Sequence, residues 1–321
     1  MVTRLPANRW HQVGAAANVR HMAMHEHQLR VTVEMVRKLL SHQFPEWAPL
    51  SVAPVQSEGT VNAIFRIGDQ LAARFPLQPG DVDATHQWLL SEAAASRELL
   101  AHTSFAVPEP VAIGEPGTGY PLPWFVQTWV PGTTASQEDA STSVDFAHDL
   151  ARFIEQVRAI DVRGRHFTGN GRGGDLRSHD EWMEVCFEQS QHLLDDSRLR
   201  RIWARLRELP RESPDVMTHG DLTPGNVLVD NGRLAGILDV GGLGPADPAL
   251  DLVSAWHLFD TGARERLRED LRCDELEWER GKAWAFQQAM GAVWYYQLSN
   301  PPMNRMGRRT LERILDDEPE S

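Results

Sequence analysis

The fold of this chain is indicated by one short motif, His219-Gly220-Asp221-Leu222-Thr223-Pro224-Gly225-Asn226. β-like runs lie on both sides of it, at residues 215–218 and 227–229. The pair Asn231-Gly232 then turns the chain back through a further apolar run to Asp239. Because Asn-Gly is a strong signal for a two-residue hairpin, the sequence predicts a hairpin with a polar loop before it and an aspartate at its end.

The residue types at these positions are those that phosphoryl transfer requires. One carboxylate must face an acceptor hydroxyl, and two oxygen ligands must hold Mg²⁺ on the nucleotide phosphates. Asp221 is therefore predicted as the catalytic residue, with Asn226 and Asp239 as the metal ligands. The alternative is that His219 and its neighbours only cap turns, which the complete spacing between strands disfavours. His219 itself is interpreted as a brace of the loop.

The chain before the motif predicts a small antiparallel sheet with one long helix. Gly68-Asp69 is a tight-turn signal and should join two of the strands in a hairpin. The order of strands, helix and strands describes an α+β lobe. The predicted elements are a helix capped by Thr32, strands at 51–56, 61–67 and 71–75, a helix at 83–102, and strands at 110–114 and 124–130.

After Pro131-Gly132 the chain is predicted to be mostly helical. The exception is the β island at 216–240, which carries the motif. Asp247 and Asp251 follow it and are expected to cap the next helix and tie down the motif. The loop at 169–174 is rich in glycine and is predicted to be mobile. Apolar residues recur at helical spacing at 144–160, 178–194, 197–209, 250–259 and 275–297.

Composition limits the possible partners. The chain has 321 residues, 41% of them hydrophobic, and a formal net charge of −13. Such an acidic surface repels nucleic acid and anionic lipid and attracts a cationic substrate, although acidity can also serve solubility alone. Two cysteines, Cys186 and Cys273, indicate neither a disulfide framework nor a zinc site, which favours a cytoplasmic location.

The ends of the chain and its apolar runs carry further expectations. Residues 1–20 lack the apolar core of a secretory signal. Residues 1–27 show no firm periodicity and are predicted to be a disordered extension or an over-long start, with Met22 and Met24 as alternative starts. No run approaches about 18 consecutive apolar residues, so no membrane span is expected.

The motif resembles that of the aminoglycoside phosphotransferase family, whose wider clan includes macrolide, choline and homoserine kinases. The segments at 57–66, 74–76 and 245–252 extend the resemblance over nearly all of the chain after about Met24. It implies a two-lobed, protein-kinase-like α+β fold. In that fold residues 28–130 form the nucleotide-binding lobe, with a hinge near 127–132. Residues 131–321 form the helical lobe with the catalytic loop, the metal site and the acceptor pocket.

The resemblance also implies roles for residues outside the motif. Arg74 would contact the nucleotide phosphates, and Glu92 on the long helix would pair with it, with Glu98 as the rival. The hinge would bind adenine through backbone groups, at the Thr128 carbonyl and the Val130 amide. The nucleotide loop would cradle the phosphates with its backbone amides and hydroxyls, at Ser57, Gly59 and Thr60.

The implied reaction transfers the γ-phosphate of ATP or GTP to a small hydroxyl-bearing acceptor, with Mg²⁺ as cofactor. An aminoglycoside-like or macrolide-like antibiotic is the expected acceptor. A metabolite such as choline, homoserine or an amino sugar is an alternative, as is a non-catalytic pseudokinase. Candidates for lining the acceptor pocket, each of which could instead be structural, are Asp175, Asp180, Glu181, Trp256, Trp284, Tyr295 and Tyr296.

Overall fold

The computed structural model describes residues 28–55, 61–169 and 171–318. The first part is a five-stranded antiparallel sheet in the order β1-β2-β3-β5-β4. The predicted small sheet with one long helix is therefore confirmed. Its elements are α1 (Val33–Gln43), β1 (Val52–Val55), β2 (Asn62–Ile67), β3 (Leu71–Pro76), α2 (Val82–Leu100), β4 (Pro110–Gly114) and β5 (Trp124–Thr128).

A helix cap and a turn glycine in the sequence define elements of this lobe as predicted. The Thr32 side chain accepts the Met35 N–H and starts α1, because a hydroxyl can satisfy a free amide of the first turn. The β2–β3 hairpin turns at Gly68, whose φ of 55° is a conformation that glycine adopts without strain. In the sheet core, the Trp124 ring covers Gly114 so closely that a Cβ there would lie 2.1 Å from it.

The second part is helical, with two small sheets of order β6-β8-β9 and β10-β7. The β8–β9 hairpin turns at Asn231 and Gly232, both with positive φ as the predicted turn requires. The elements are β6 (Thr133–Thr134), α3 (Val144–Arg158), α4 (Asp180–Ser190), α5 (Asp196–Leu206), β7 (Val216–Thr218), β8 (Val227–Asp230), β9 (Arg233–Ile237), β10 (Gly244–Ala246), α6 (Val253–Leu258), α7 (Thr261–Leu271), α8 (Glu275–Tyr295) and α9 (Pro301–Asp317).

Helix α8 forms the centre of the helical lobe. Trp284 on α8 is fully buried, and α9 packs so closely on α8 that a Cβ on Gly307 would lie 2.9 Å from the Ala289 carbonyl. Near the first third of α8, the buried Arg280 guanidinium binds the equally buried Asp247 carboxylate at 2.5 Å. This pair joins α8 to the segment that follows the β island.

The end of α2 is fastened to the helical lobe. Both carboxylate oxygens of Glu98 accept hydrogen bonds from Arg165, at 2.7 and 3.0 Å. A few residues later, the Ala106 carbonyl accepts the Ile237 N–H of β9 at 2.9 Å. The long helix of the sheet lobe is therefore held from both lobes. Within residues 28–55, 61–169 and 171–318, no helix combines the length and apolarity needed to cross a bilayer.

Candidate active site

The motif forms the loop between β7 and β8, and buried side chains hold its backbone. The fully buried Asp251 accepts the N–H groups of His219 and Gly220, each at 2.9 Å. His219 Nδ1 accepts the Asp221 N–H at 3.3 Å. Its Nε2 therefore carries the hydrogen, which it donates to the Leu238 carbonyl at 3.0 Å. His219 thus braces the loop against the segment after β9, and Asp251 ties the loop down as expected.

The carboxylate of Asp221 is held on both of its oxygens. Oδ2 accepts the Asn226 side-chain N–H at 2.9 Å. Oδ1 accepts from Arg172 and from Gln288, each at 3.2 Å. The Asp221 side chain is 37% exposed, so a substrate hydroxyl can reach it. A carboxylate fixed in this way offers a proton acceptor in a defined orientation, which general-base catalysis requires.

A buried polar chain continues from Asp221 into the helical lobe. Gln288 on α8 donates to Asp221, and its Oε1 contacts His257 Nε2 at 3.1 Å. Burial lowers the pKa of His257 to about 4, so the ring is neutral at pH 7. Its Nε2–H therefore donates to Gln288, and its Nδ1 accepts the Thr310 hydroxyl at 2.8 Å. Three separate helices thus support the orientation of one carboxylate, a contribution that sequence reasoning missed because no local spacing links these residues.

The glycine-rich loop, for which mobility is predicted, is anchored in its described residues. The Gly173 carbonyl accepts the Asp247 N–H at 3.1 Å, and the Gly174 carbonyl accepts from Arg280 at 3.0 Å. A Cβ on Gly173 would lie 2.7 Å from that of Ala246. These contacts place the side chain of Arg172, which sequence reasoning also missed, at the Asp221 carboxylate.

Asp239 and Asn226 lie at adjoining points of the site. The Leu238 N–H donates to the Asn226 carbonyl at 2.7 Å, which holds the residue before Asp239 against the loop. Asp239 is about half exposed and adopts a left-handed backbone, with φ of 56° and ψ of 60°. Non-glycine residues in this region are uncommon and concentrate at functional sites.

The oxygen atoms present suit Mg²⁺. The Asn226 side-chain nitrogen donates to Asp221, and no described residue donates to its Oδ1. Across residues 28–55, 61–169 and 171–318, no cluster of three or more His, Cys, Asp or Glu residues could hold a metal alone. One carboxylate and one amide oxygen fit this pattern, since Mg²⁺ commonly takes one or two protein ligands and completes its shell with water and substrate phosphates.

The predicted ion pair between Arg74 on β3 and Glu92 on α2 is present and buried. Arg74 also donates to Asp239 Oδ1 at 3.3 Å, which links the sheet lobe to the predicted metal ligand. Burial opposes the charge on Arg74, but the carboxylates of Glu92 and Asp239 outweigh it and raise the pKa. The rival Glu98 is excluded as the partner, because it binds Arg165.

At the predicted hinge, one backbone amide has no backbone acceptor among the described residues. The Thr128 N–H donates to the Glu109 carbonyl at 2.9 Å, and the Trp129 N–H to the Gln70 carbonyl at 2.7 Å. The Val130 amide donates to no backbone carbonyl among the described residues. The predicted loop residues Ser57, Gly59 and Thr60 lie outside the described residues, as does the predicted extension at 1–27.

Two of the aromatic candidates for the acceptor pocket belong to the core instead. Trp256 and Trp284 are fully buried, so their role is packing. Among the acidic candidates, Asp180 forms an ion pair with Arg207, and Asp175 forms one with Arg177.

A family comparison gives this geometry its context. The model of the phosphotransferase enzyme family matches residues 55–284, which include strands β2–β5 of the sheet lobe, the loop that carries the motif and half of α8. The chain belongs to the phosphotransferase enzyme family.

Relatives and solved structures agree with this family. The chain is 30% identical over 155 residues to an aminoglycoside 3′-phosphotransferase of Salmonella typhimurium, a match over 45% of this chain and 56% of that protein. It therefore spans little more than half of that relative's length. Against an aminoglycoside 3′-phosphotransferase of Streptomyces fradiae, it is 32% identical over 221 residues, 63% of this chain and 73% of the relative.

Solved structures of an aminoglycoside phosphotransferase and a macrolide phosphotransferase share the two-lobed kinase-like fold. The GDP complex of wild-type aminoglycoside 2′-phosphotransferase-IIIa matches with a TM-score of 0.66 and 17% identity, over 90% of this chain and 100% of that one. A macrolide 2′-phosphotransferase from Brachybacterium faecium, solved as the apoenzyme, matches with a TM-score of 0.57 and 16% identity, over 90% and 99% of the two chains. At these identities the likeness concerns the fold.

Proposed function

We propose that this chain transfers the γ-phosphate of a nucleoside triphosphate to a hydroxyl group of an aminoglycoside-like or macrolide-like antibiotic. The observation that carries the proposal is the outward-facing Asp221 carboxylate, held on both oxygens. Asp239 lies at the end of the next hairpin, bonded to Arg74 from the other lobe. The family membership and the named activities of the relatives support the same reaction.

The residues divide the work of the reaction between them. Asp221 accepts a hydrogen bond from the acceptor hydroxyl and takes its proton. The acceptor oxygen forms a bond to the γ-phosphorus while the bond from phosphorus to the bridging oxygen breaks, and the nucleoside diphosphate leaves with that electron pair. Asn226 Oδ1 and Asp239 would hold Mg²⁺, which neutralises phosphate charge. Arg74 would bind the phosphates, positioned by Glu92.

The nucleotide would bind between the lobes at the hinge. The free Val130 amide would donate to the base, and the Thr128 carbonyl would accept from it. Since backbone groups offer either purine a donor and an acceptor, both ATP and GTP are proposed as donors. The chain's net charge of −13 favours a cationic acceptor.

The test begins with thermal stability in the presence of Mg²⁺ and either ATP or GTP. We expect a rise in melting temperature that depends on Mg²⁺, because a ligand that binds only the folded state stabilises it. Diphosphate release is then measured with aminoglycosides, macrolides, choline and homoserine, using Asp221→Asn as the inactive control. Turnover of the metabolites alone would contradict the antibiotic assignment. Nucleotide binding without turnover of any acceptor would contradict the phosphotransferase assignment.

A further inference from the structure

We propose that Arg172 is a further catalytic residue, which binds the transferring phosphoryl group during the reaction. The proposal rests on the phosphotransferase activity proposed above and adds a second arginine, beside Arg74, at the reaction centre.

The first observation is the place of the Arg172 side chain. Its Nη2 lies 3.2 Å from Asp221 Oδ1, the carboxylate proposed to take the acceptor's proton. The loop that carries it is built into the lobe, since the carbonyls of Gly173 and Gly174 are bound by Asp247 and Arg280. The anchored backbone therefore holds the Arg172 guanidinium at the site.

The second observation is that one end of this guanidinium lacks a partner. Nη1 of Arg172 is shielded from solvent, and no described residue accepts a hydrogen bond from it. A buried donor without an acceptor is costly. A planar guanidinium is suited to bind phosphate oxygens with two nitrogens at once. An anionic oxygen brought in by the substrates would therefore satisfy this nitrogen.

The third observation is that the catalytic loop contains no cation of its own. Residues 219–226 include neither lysine nor arginine. Arg74 binds Glu92, Gln127 and Asp239 and has no contact with Asp221 among the described residues. Burial lowers the pKa of both His179 and His257, and the nearby positive charge of Arg172 lowers it further. Arg172 is thus the described cation that contacts the Asp221 carboxylate.

The chemistry explains why the phosphoryl group is the fitting anion. The acceptor oxygen must lie within hydrogen-bond distance of Asp221, and during transfer it becomes bonded to the γ-phosphorus. The oxygens on that phosphorus, which carry the negative charge, are then near any group that also touches Asp221. As the bond to the leaving diphosphate breaks, Arg172 would stabilise the charge on these oxygens, as an arginine supplied within the same chain does in other phosphoryl-transfer enzymes.

The experiment uses two variants, Arg172→Ala and Arg172→Lys, with Arg177→Ala as the matched control. Arg177 is an exposed arginine five positions further on, and its ion pair is with Asp175. The first readout is the affinity for ADP or GDP with Mg²⁺, alone and with aluminium fluoride, which mimics the phosphoryl group in transfer. The second readout is kcat, measured with an identified acceptor or as slow hydrolysis with water as acceptor.

For the wild type and Arg177→Ala, aluminium fluoride should tighten diphosphate binding. Both Arg172 variants should lose most of this gain, keep their affinity for the diphosphate alone, and lose kcat by on the order of 10³-fold. Should Arg172→Ala not fold, Arg172→Lys, which keeps the charge, decides the matter. Unchanged tightening, a raised kcat, or a change in acceptor KM alone would overturn the proposal. Absence of any tightening in the wild type would instead count against the phosphotransferase function itself.

Discussion

Asp221 and Asp239 carry the same functional group in different surroundings. Asp221 is bound on both carboxylate oxygens by protein donors. Asp239 is half exposed, and among the described residues only Arg74 donates a hydrogen bond to its carboxylate. We expect Asp221→Asn to lower turnover by roughly 10²–10⁴-fold with nucleotide affinity nearly unchanged, the usual effect of losing a general base. Asp239→Asn, which keeps the preference for a left-handed backbone, should remove Mg²⁺-dependent nucleotide binding.

The measurements are Mg²⁺-nucleotide affinity and turnover for both variants and for Asn226→Ala. The last should weaken nucleotide binding less than Asp239→Asn, because it removes a neutral ligand. Equal loss of nucleotide affinity in Asp221→Asn and Asp239→Asn would contradict the separate roles.

Glu92 should matter far more to stability than Glu98, although both are glutamates of α2 that bind an arginine. Glu92→Gln leaves the buried Arg74 with only the half-exposed Asp239 as an ion-pair partner, and breaking a buried pair costs about 3–5 kcal/mol. Glu98→Gln affects a pair whose arginine is 39% exposed, so a loss of about 1 kcal/mol or less is expected. Urea unfolding and nucleotide titration of the two variants test this, and equal losses would count against a special role for the Arg74 pair.

The sequence could identify these residues because their spacing is local. The motif and the hairpin bring Asp221, Asn226 and Asp239 together within about twenty positions. The supporting chain is different, because its members lie on three helices and come together only through packing: Gln288, His257 and Thr310. No local sequence pattern indicates them. The metal and nucleotide roles stay predictions.

At the scale of elements, the pair between Asp247 and Arg280 joins α8 to the glycine-rich loop and to the chain after β10. Arg280 also donates to the carbonyls of Leu209 and Gly174, so it connects three segments. We expect Asp247→Asn to lower the free energy of unfolding by about 3–5 kcal/mol, because it leaves a buried guanidinium without its counter-charge. Glu275→Gln, in an exposed pair with Arg268, is the control and should change stability by under about 1 kcal/mol.

If Asp247→Asn and Glu275→Gln unfold at the same urea concentration, Asp247 does not hold the segments together.

The helices of the second lobe were predictable to different degrees. Helix α9 was missed although Met306, Thr310, Leu311 and Ile314 lie at helical spacing and are buried. Helix α7 offers a weaker signal, because only Ala263, Arg264 and Leu267 are buried and most of its surface is charged.

At the scale of the whole molecule, folding stability should fall on mild acidification. Burial lowers the pKa of His257 to about 4, against about 6.5 for an unfolded histidine. Between these values the unfolded chain binds a proton that the folded chain does not. The stabilisation is therefore fully present above about pH 6.5 and is lost as the pH falls towards 4, by up to about 3 kcal/mol.

Urea unfolding at pH 7.5 and pH 5 measures this loss. His257→Gln should be less stable at both values but should lose less between them, whereas His42→Gln, at an exposed position of α1, should behave as the wild type does. Equal losses of stability in the wild type and in His257→Gln would exclude His257 as the cause.

The two-lobed arrangement was expected from the family resemblance, since the spacing of residues within the chain does not determine how two lobes face each other.

The fastening of α2 to both lobes has a consequence for control of the protein. Glu98 binds Arg165 and the Ala106 carbonyl binds β9, so α2 cannot swing outward as a unit without breaking contacts in the helical lobe. In this arrangement Arg74 and Glu92 form their ion pair, so no swing of α2 is needed to bring them together. We expect a protein built in this way to be constitutively active. Its total activity in the cell would then depend on its rates of synthesis and degradation.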